Sequence, residues 1–285
     1  MTPTELRQLL EPLGIRPLKD RSQHFLLDEK VVAGMVDAAG VQKGTRVFEI
    51  GPGPGILTAE LLRCGAEVLA IEIDKKLCTV LRERFGSYKN FHLVEGDALA
   101  FSVANSIFAR DHYVVIANLP YAITSAILQK LLLESPAPTS ITVMVQKEVA
   151  DRILAKPGDM SSLAVFVQTL ARVERVKNVA AGAFFPPPKV ASAVIHMSRR
   201  SDEELQKFFG ETTASRYFEI VRQAFRERRK QLRNSLKSTT ATPSALETAF
   251  VEAKISPSAR PEELSVAEWA ALSKALRPSK KRQTQ

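Results

Sequence analysis

Between residues 45 and 145, short β-branched and apolar runs alternate with longer stretches of helical spacing, and this alternation leaves the chain few folds to adopt. Residues 47–50, 68–72, 91–94, 113–116 and 141–145 read as strands. Residues 57–63, 75–85 and 98–108 read as the helices between the first four. Residues 125–133, with Ile127, Leu128, Leu131 and Leu132 on one face, precede the fifth strand. Strand and helix in strict succession imply an α/β fold with a doubly wound, mostly parallel sheet. Ligands of such sheets bind beyond the carboxyl ends of the strands, so the residues that follow each strand carry the functional reading.

Further on, helices are expected near 147–155 and 163–170, broken at Pro157-Gly158, with strands near 172–176 and 191–197. Residues 198–203 are polar and read as a linker. From 204 onward only helical patterns occur. The expected organisation is an α/β domain over 1–199 and a small all-helical domain over 200–285, with 278–285 as an unstructured tail.

Composition narrows the class of function. With 45% hydrophobic and 25% charged residues the chain is an ordinary globular protein, not a coiled coil, a collagen or a disordered segment. Cys64 and Cys78 form no Cys-x-x-Cys pair, which argues against a disulfide scaffold or a cysteine zinc site and fits a reducing cytosol. No apolar run reaches the 18 residues of a membrane helix, and Glu5 and Glu11 stand where a signal peptide would be basic and then apolar. His92, His112 and His196 lack the spacing of metal ligands, so no metal is expected. The net charge is +9, and residues from 183 onward hold 19 Lys and Arg against 11 Asp and Glu. Such an excess suits either a polyanionic partner such as nucleic acid or a solubilising face.

The first strand runs into Gly51-Pro52-Gly53-Pro54-Gly55, whose glycines allow a tight turn and close approach of a ligand to the backbone. Ile56 stands where the dinucleotide fingerprint needs its third glycine, which weakens a nicotinamide reading. Glu72 ends the second strand at a separation suited to accepting both hydrogen bonds of a ribose diol. Asp97 ends the third and could accept from an adenine amino group. The fourth ends in Asn118-Leu119-Pro120-Tyr121, a turn that can aim an amide oxygen and a backbone carbonyl at an exocyclic amine while the Tyr ring stacks on a base. Together these point to an adenosine-containing cofactor.

These motifs resemble those of the S-adenosylmethionine-dependent adenine-N6 methyltransferases. Ser22-Gln23-His24-Phe25-Leu26, Gln146-Lys147-Glu148-Val149-Ala150-Asp151-Arg152, the stretch Phe184-Phe185-Pro186-Pro187-Pro188-Lys189-Val190, and Phe225-Arg226-Glu227-Arg228-Arg229-Lys230-Gln231-Leu232-Arg233-Asn234-Ser235-Leu236 are similar to four further motifs of the ribosomal RNA adenine dimethyltransferases, in their small-subunit branch. Ser22 replaces the family's usual Gly, and Met160-Ser161-Ser162 stands where many members carry Tyr-Gly-Arg. The resemblance implies a Rossmann-like methyltransferase domain that binds S-adenosylmethionine through His24, Leu26, Gly51, Gly53, Glu72, Asp97 and Asn118. It implies catalysis by Asn118, Leu119 and Tyr121, with Phe184 and Tyr121 clamping a flipped adenine. The implied partner is small-subunit ribosomal RNA in an assembling particle, met by a cytoplasmic monomer with no membrane association. For the C-terminal domain, one helix over about 217–237 is expected, with Phe218, Val221, Phe225, Leu232 and Leu236 inward and Arg222, Arg226, Arg229 and Arg233 as an RNA-binding stripe. A large-subunit RNA methyltransferase of the antibiotic-resistance type and a non-catalytic RNA-binding assembly factor remain as alternatives.

Overall fold

The computed structural model describes residues 1–14, 24–110, 112–227, 229–239 and 242–276. Ser22, Gln23, Arg228 and the expected tail lie outside them.

The chain opens with α1 (Pro3–Leu10), started by a capping box in which the Thr2 hydroxyl accepts from the Glu5 N–H and the Glu5 carboxylate from the Thr2 N–H. A two-residue strand β1 (Phe25–Leu26) leads into α2 (Glu29–Ala38), whose first N–H groups are capped by Asp28. Then come β2 (Arg46–Ile50), α3 (Ile56–Arg63), β3 (Glu67–Glu72), α4 (Lys75–Phe85), β4 (Phe91–Glu95), β5 (Val114–Asn118), α5 (Thr124–Leu133) and β6 (Ser140–Gln146). After α6 (Lys147–Ile153) and α7 (Ser162–Leu170) follow β7 (Ala171–Val179), β8 (Phe184–Phe185) and β9 (Ser192–Arg199).

Seven strands form one sheet in the order β4-β3-β2-β5-β6-β9-β7. The five from β4 to β6 are parallel neighbours, and β9 joins β6 antiparallel, with Ser192 opposite Gln146. Chain order reverses between β2 and β5, so the loops after these two strands open a crevice between them. β1 and β8 pair separately, Phe25 with Phe185 and Leu26 with Phe184. Residues 98–108, expected as a helix, form turns and one 3-10 turn at Val103–Asn105. Ser106 explains this: its hydroxyl donates to the Val103 carbonyl and accepts from the Phe108 N–H, satisfying locally what a helix would otherwise satisfy.

The chain divides into two compact units, Met1–Ala150 with Val173–Arg199, and Asp151–Arg172 with the residues from Arg200 onward. The sequence expects one boundary at 199/200; in this division 151–172 belongs with the helical unit, not with the α/β unit. The linker is also shorter than 198–203: β9 runs to Arg199, and a capping box between Ser201 and Glu204 starts α8 (Asp202–Phe209). The helical unit continues with α9 (Ala214–Arg226), α10 (Leu232–Ser235), α11 (Pro243–Ala253) and α12 (Val266–Ala275). Its core brings Phe166 of α7 to 4.8 Å from Phe218 of α9 and wholly buries Tyr217 and Trp269, with the Tyr217 hydroxyl 3.0 Å from that of Thr169.

The single helix expected over 217–237 is broken after Arg226. The N–H groups of Leu232 and Arg233 donate to the carbonyls of Ala259 and Pro257, so a neighbouring loop takes up the donors that a continuous helix would bond within itself. Phe218, Val221, Leu232 and Leu236 are nevertheless buried as expected, and Phe225 partly so.

Candidate active site

The crevice between β2 and β5 widens into a cavity of about 580 Å³. Its walls include every residue the sequence assigned to the cofactor: His24, Leu26, Gly51, Gly53, Glu72, Asp97 and Asn118, together with Leu119 and Tyr121. Phe184 is not among them. Its antiparallel pairing with Leu26 turns the ring into the core with Val32, Met35 and Leu57, where it is 4% exposed. The family resemblance expects Phe184 to clamp a base with Tyr121; in this structure its ring packs behind the cavity wall, against Val32, Met35 and Leu57, which line the cavity.

The loop after β2 is shaped by backbone only glycine adopts at low cost. Gly55 has φ +83°, and a Cβ there would lie 2.4 Å from the Phe85 ring. The loop is held from two sides: the Arg84 guanidinium donates to the Pro54 carbonyl, and the Gly53 N–H donates to Glu72 Oε2 at 3.0 Å. Glu72 Oε1 accepts from the Asp74 N–H, also at 3.0 Å. Each carboxylate oxygen keeps a lone pair, so Glu72 can brace the loop and still accept from a diol. Burial raises its pKa, opposed by the Asp74, Gly53 and Ile73 N–H groups that favour the charged form. Asp97 is exposed, and its Oδ1 caps the turn that follows by accepting from the Leu99 N–H at 2.8 Å.

Glu49 was not singled out by sequence, although an acid inside the apolar strand Val47-Phe48-Glu49-Ile50 is itself an anomaly. It is 1% exposed and lines the cavity. Oε2 accepts from the Thr58 hydroxyl at 2.7 Å, while Oε1 is buried without a partner. Burial, reinforced by the nearby Glu72 charge, pushes its pKa up to about 8 against the Thr58 hydrogen bond.

Asn118 ends β5 at the cavity mouth. Its Nδ2 donates to the His24 carbonyl at 3.5 Å, which turns Oδ1 into the group left to accept. The Leu119 N–H donates to the Met144 carbonyl, tying the turn to β6. The Tyr121 hydroxyl lies 2.9 Å from that of Ser192, and its ring stacks near His24, with centroids 6.4 Å apart and planes 28° apart. His24 Nδ1 is 2.8 Å from the Pro186 carbonyl. An amide acceptor beside an aromatic face, at the mouth of an acid-lined cavity, suits presentation of an aromatic amine to a bound cofactor.

The sequence pattern of the ribosomal RNA adenine dimethylases matches residues 18–277. The chain belongs to that family. It is 39% identical over 257 residues to ribosomal RNA small subunit methyltransferase A of Clostridium botulinum (strain Okra / Type B1), covering 90% of this chain and 92% of that one. It is 37% identical to the protein of the same name from Geobacillus thermodenitrificans, with 97% of each chain covered. Among solved structures, a dimethyladenosine transferase from Plasmodium falciparum superposes with a TM-score of 0.71 at 26% identity, covering 87% of this chain and 96% of that one. The 23S rRNA methyltransferase ErmE gives 0.67 at 28% identity, covering 88% and 99%.

The cofactor of this dimethylase is S-adenosylmethionine, and the cavity fits it. Glu49 and Glu72, whose carboxylate oxygens keep spare lone pairs, are polar wall residues set among apolar side chains such as Leu26, Ile71 and Leu77. Glu72→Ala is expected to weaken cofactor binding by about 1.5–3 kcal/mol, the range for hydrogen bonds to a charged acceptor. Calorimetry on the folded variant reads this, and an unchanged dissociation constant would remove Glu72 from the cofactor site.

The four arginines lie in the helical unit and are exposed. Arg222 and Arg226 are on α9, Arg229 is in the break, and Arg233 is on α10, so they do not form one helical stripe.

Proposed function

We propose that this dimethylase transfers two methyl groups to N6 of each of two adjacent adenines near the 3′ end of small-subunit ribosomal RNA during ribosome assembly, acting as a cytoplasmic monomer. The observation that carries the reading is the Asn118 amide at the end of β5, which lines the cavity beside Leu119 and Tyr121. Identity of 37–39% over at least nine-tenths of the chain to proteins named ribosomal RNA small subunit methyltransferase A favours the small-subunit substrate.

S-adenosylmethionine, when bound, supplies the sulfonium methyl. The adenine amine is a weak nucleophile because its lone pair is delocalised into the ring. Asn118 Oδ1 and the main-chain carbonyl of Leu119 accept its two hydrogens, which favours a pyramidal nitrogen with its lone pair directed outward. This is orientation plus electrostatics, with no general base, because the methylated nitrogen is acidic enough to release its proton to water. The base must leave its stack, and the Tyr121 ring offers the replacement surface. Glu72 holds the ribose, Asp97 the adenine and Gly51 the methionine portion of the cofactor. His24 and Leu26 close the site.

Primer-extension mapping of N6-dimethyladenosine on ribosomal RNA, with and without the protein, tests the substrate. Two adjacent stops in small-subunit RNA are expected; stops in large-subunit RNA, or none, overturn the reading.

In the same proposal Arg222, Arg226, Arg229 and Arg233 bind RNA phosphates. Replacing Arg226 and Arg229 by Gln is expected to flatten the slope of log affinity against log salt by about 0.7 to 0.9 for each phosphate no longer neutralised, leaving cofactor affinity unchanged. A double variant with the parental slope would make these arginines a solubilising face.

A further inference from the structure

Tyr121 opens a single 3-10 turn, Tyr121–Ile123, directly after Pro120. The turn is closed locally: the Ile123 N–H and the Thr124 hydroxyl both donate to the Pro120 carbonyl, at 3.2 and 3.1 Å. These bonds set the path of the backbone. They do not aim a half-buried phenol ring with two side-chain torsions of its own.

The aim comes from the hydroxyl at the far end of the ring, 2.9 Å from Ser192 Oγ and 71 residues away in sequence. Ser192 is wholly buried and begins β9. It sits in register with Gln146 at the end of β6, and two residues earlier on β6 Met144 pairs with Asn118 of β5. Three hydrogen-bonded strands therefore fix the position of Ser192 Oγ relative to the Asn118 amide. The stretch that delivers Ser192 also supports the other side of the ring, since the Pro186 carbonyl holds His24, whose ring stacks near Tyr121.

We propose that Ser192 is a positioning residue for base capture: its buried hydroxyl sets the plane of the Tyr121 ring relative to Asn118 Oδ1, so that an adenine stacked on the ring presents its amine to the amide. The inference rests on the reading of Tyr121 as the stacking surface. As a contribution to folding, one neutral hydrogen bond is small. Its importance lies in alignment, because displacement by an acceptor-oriented nitrogen tolerates little error in angle or distance.

The test removes the bond from each end in the full-length protein. Tyr121→Phe keeps the ring and loses only its hydroxyl; Ser192→Ala loses the other. Single-turnover methyl transfer to small-subunit RNA particles is expected to fall about tenfold in each, with cofactor affinity unchanged and the RNA KM moving much less than kcat. The double variant is expected to be no slower than either single one. If Ser192 acted through packing, the two losses would multiply, and that result overturns the proposal, as does a wild-type rate in either single variant. Tyr121→Phe reads the bond from the half-buried side, so the test stands even where Ser192→Ala does not fold. Tyr121→Ala separates stacking from aim. If it transfers at the wild-type rate, the stacking reading falls and the proposal with it. If it is inactive while Tyr121→Phe is wild type, stacking survives and only the role of Ser192 is lost.

Discussion

Asn118→Ala is expected to bind S-adenosylmethionine nearly as well as the parent protein and to transfer methyl groups at least about 100-fold more slowly in a single turnover, the usual consequence of deleting a preorganised polar group at a reacting centre. The cofactor has the rest of the cavity to hold it, from Gly51 to Asp97, whereas no neighbouring side chain on the Asn118-Leu119-Pro120-Tyr121 turn can replace an amide oxygen. The Nδ2 bond to His24 is long, at 3.5 Å, so its loss adds little to the effect. Rapid-quench transfer measured beside calorimetry separates the two quantities. A wild-type rate in Asn118→Ala would remove the amide from the mechanism; a matching loss of cofactor affinity would make it a binding residue only.

Phe184→Ala is expected to act on a different quantity. Truncating a ring that is 4% exposed and packed in the main core of the α/β unit leaves a cavity that its neighbours fill only in part, at a cost of about 3–5 kcal/mol in unfolding free energy. Phe185 provides the contrast within the same strand: its ring is half-buried under the Arg7 guanidinium, 4.8 Å from the ring centroid, and its truncation should cost much less. Urea denaturation of the two variants reads the difference. Should Phe184→Ala keep its stability while losing methyl transfer, the ring belongs to the base clamp that the family resemblance implies.

What could be read in advance, and what could not, follows from how local each cause is. The parallel strands were legible because each is a short β-branched run, and their end residues Glu72, Asp97 and Asn118 were legible because a doubly wound sheet gathers strand ends at one crevice. Their convergence on one cavity is that rule carried out. The burial of Phe184 was not legible, because its direction is set by pairing with Leu26, a partner no periodicity announces for a two-residue strand. The break after Arg226 was missed for a similar reason: the carbonyls that stop the helix come from Pro257 and Ala259. The segment 98–108 differs, since the helix-stopping hydroxyl of Ser106 was in plain view, as was the capping box at Thr2 and Glu5 that announces α1. At both places the deciding chemistry is local, unlike the pairing of Phe184 and the break after Arg226.

The small ribbon of β1 and β8 has a consequence for the order in which the protein is made. His24 reaches Pro186 across 162 residues, and the N–H groups of Leu27 and Asp28 reach the Ala183 carbonyl beside it. During synthesis the segment that forms one wall of the cavity leaves the ribosome early and has no strand to join until 183–186 follow it. The cofactor site is thus completed only after nearly the whole α/β unit has been translated. Closing so long a loop costs little more at equilibrium than closing a shorter one, because the entropic cost grows only with the logarithm of its length. The effect is on time: the last part of the site to form joins segments among the most distant in the chain, and pairings of that kind set slow folding rates.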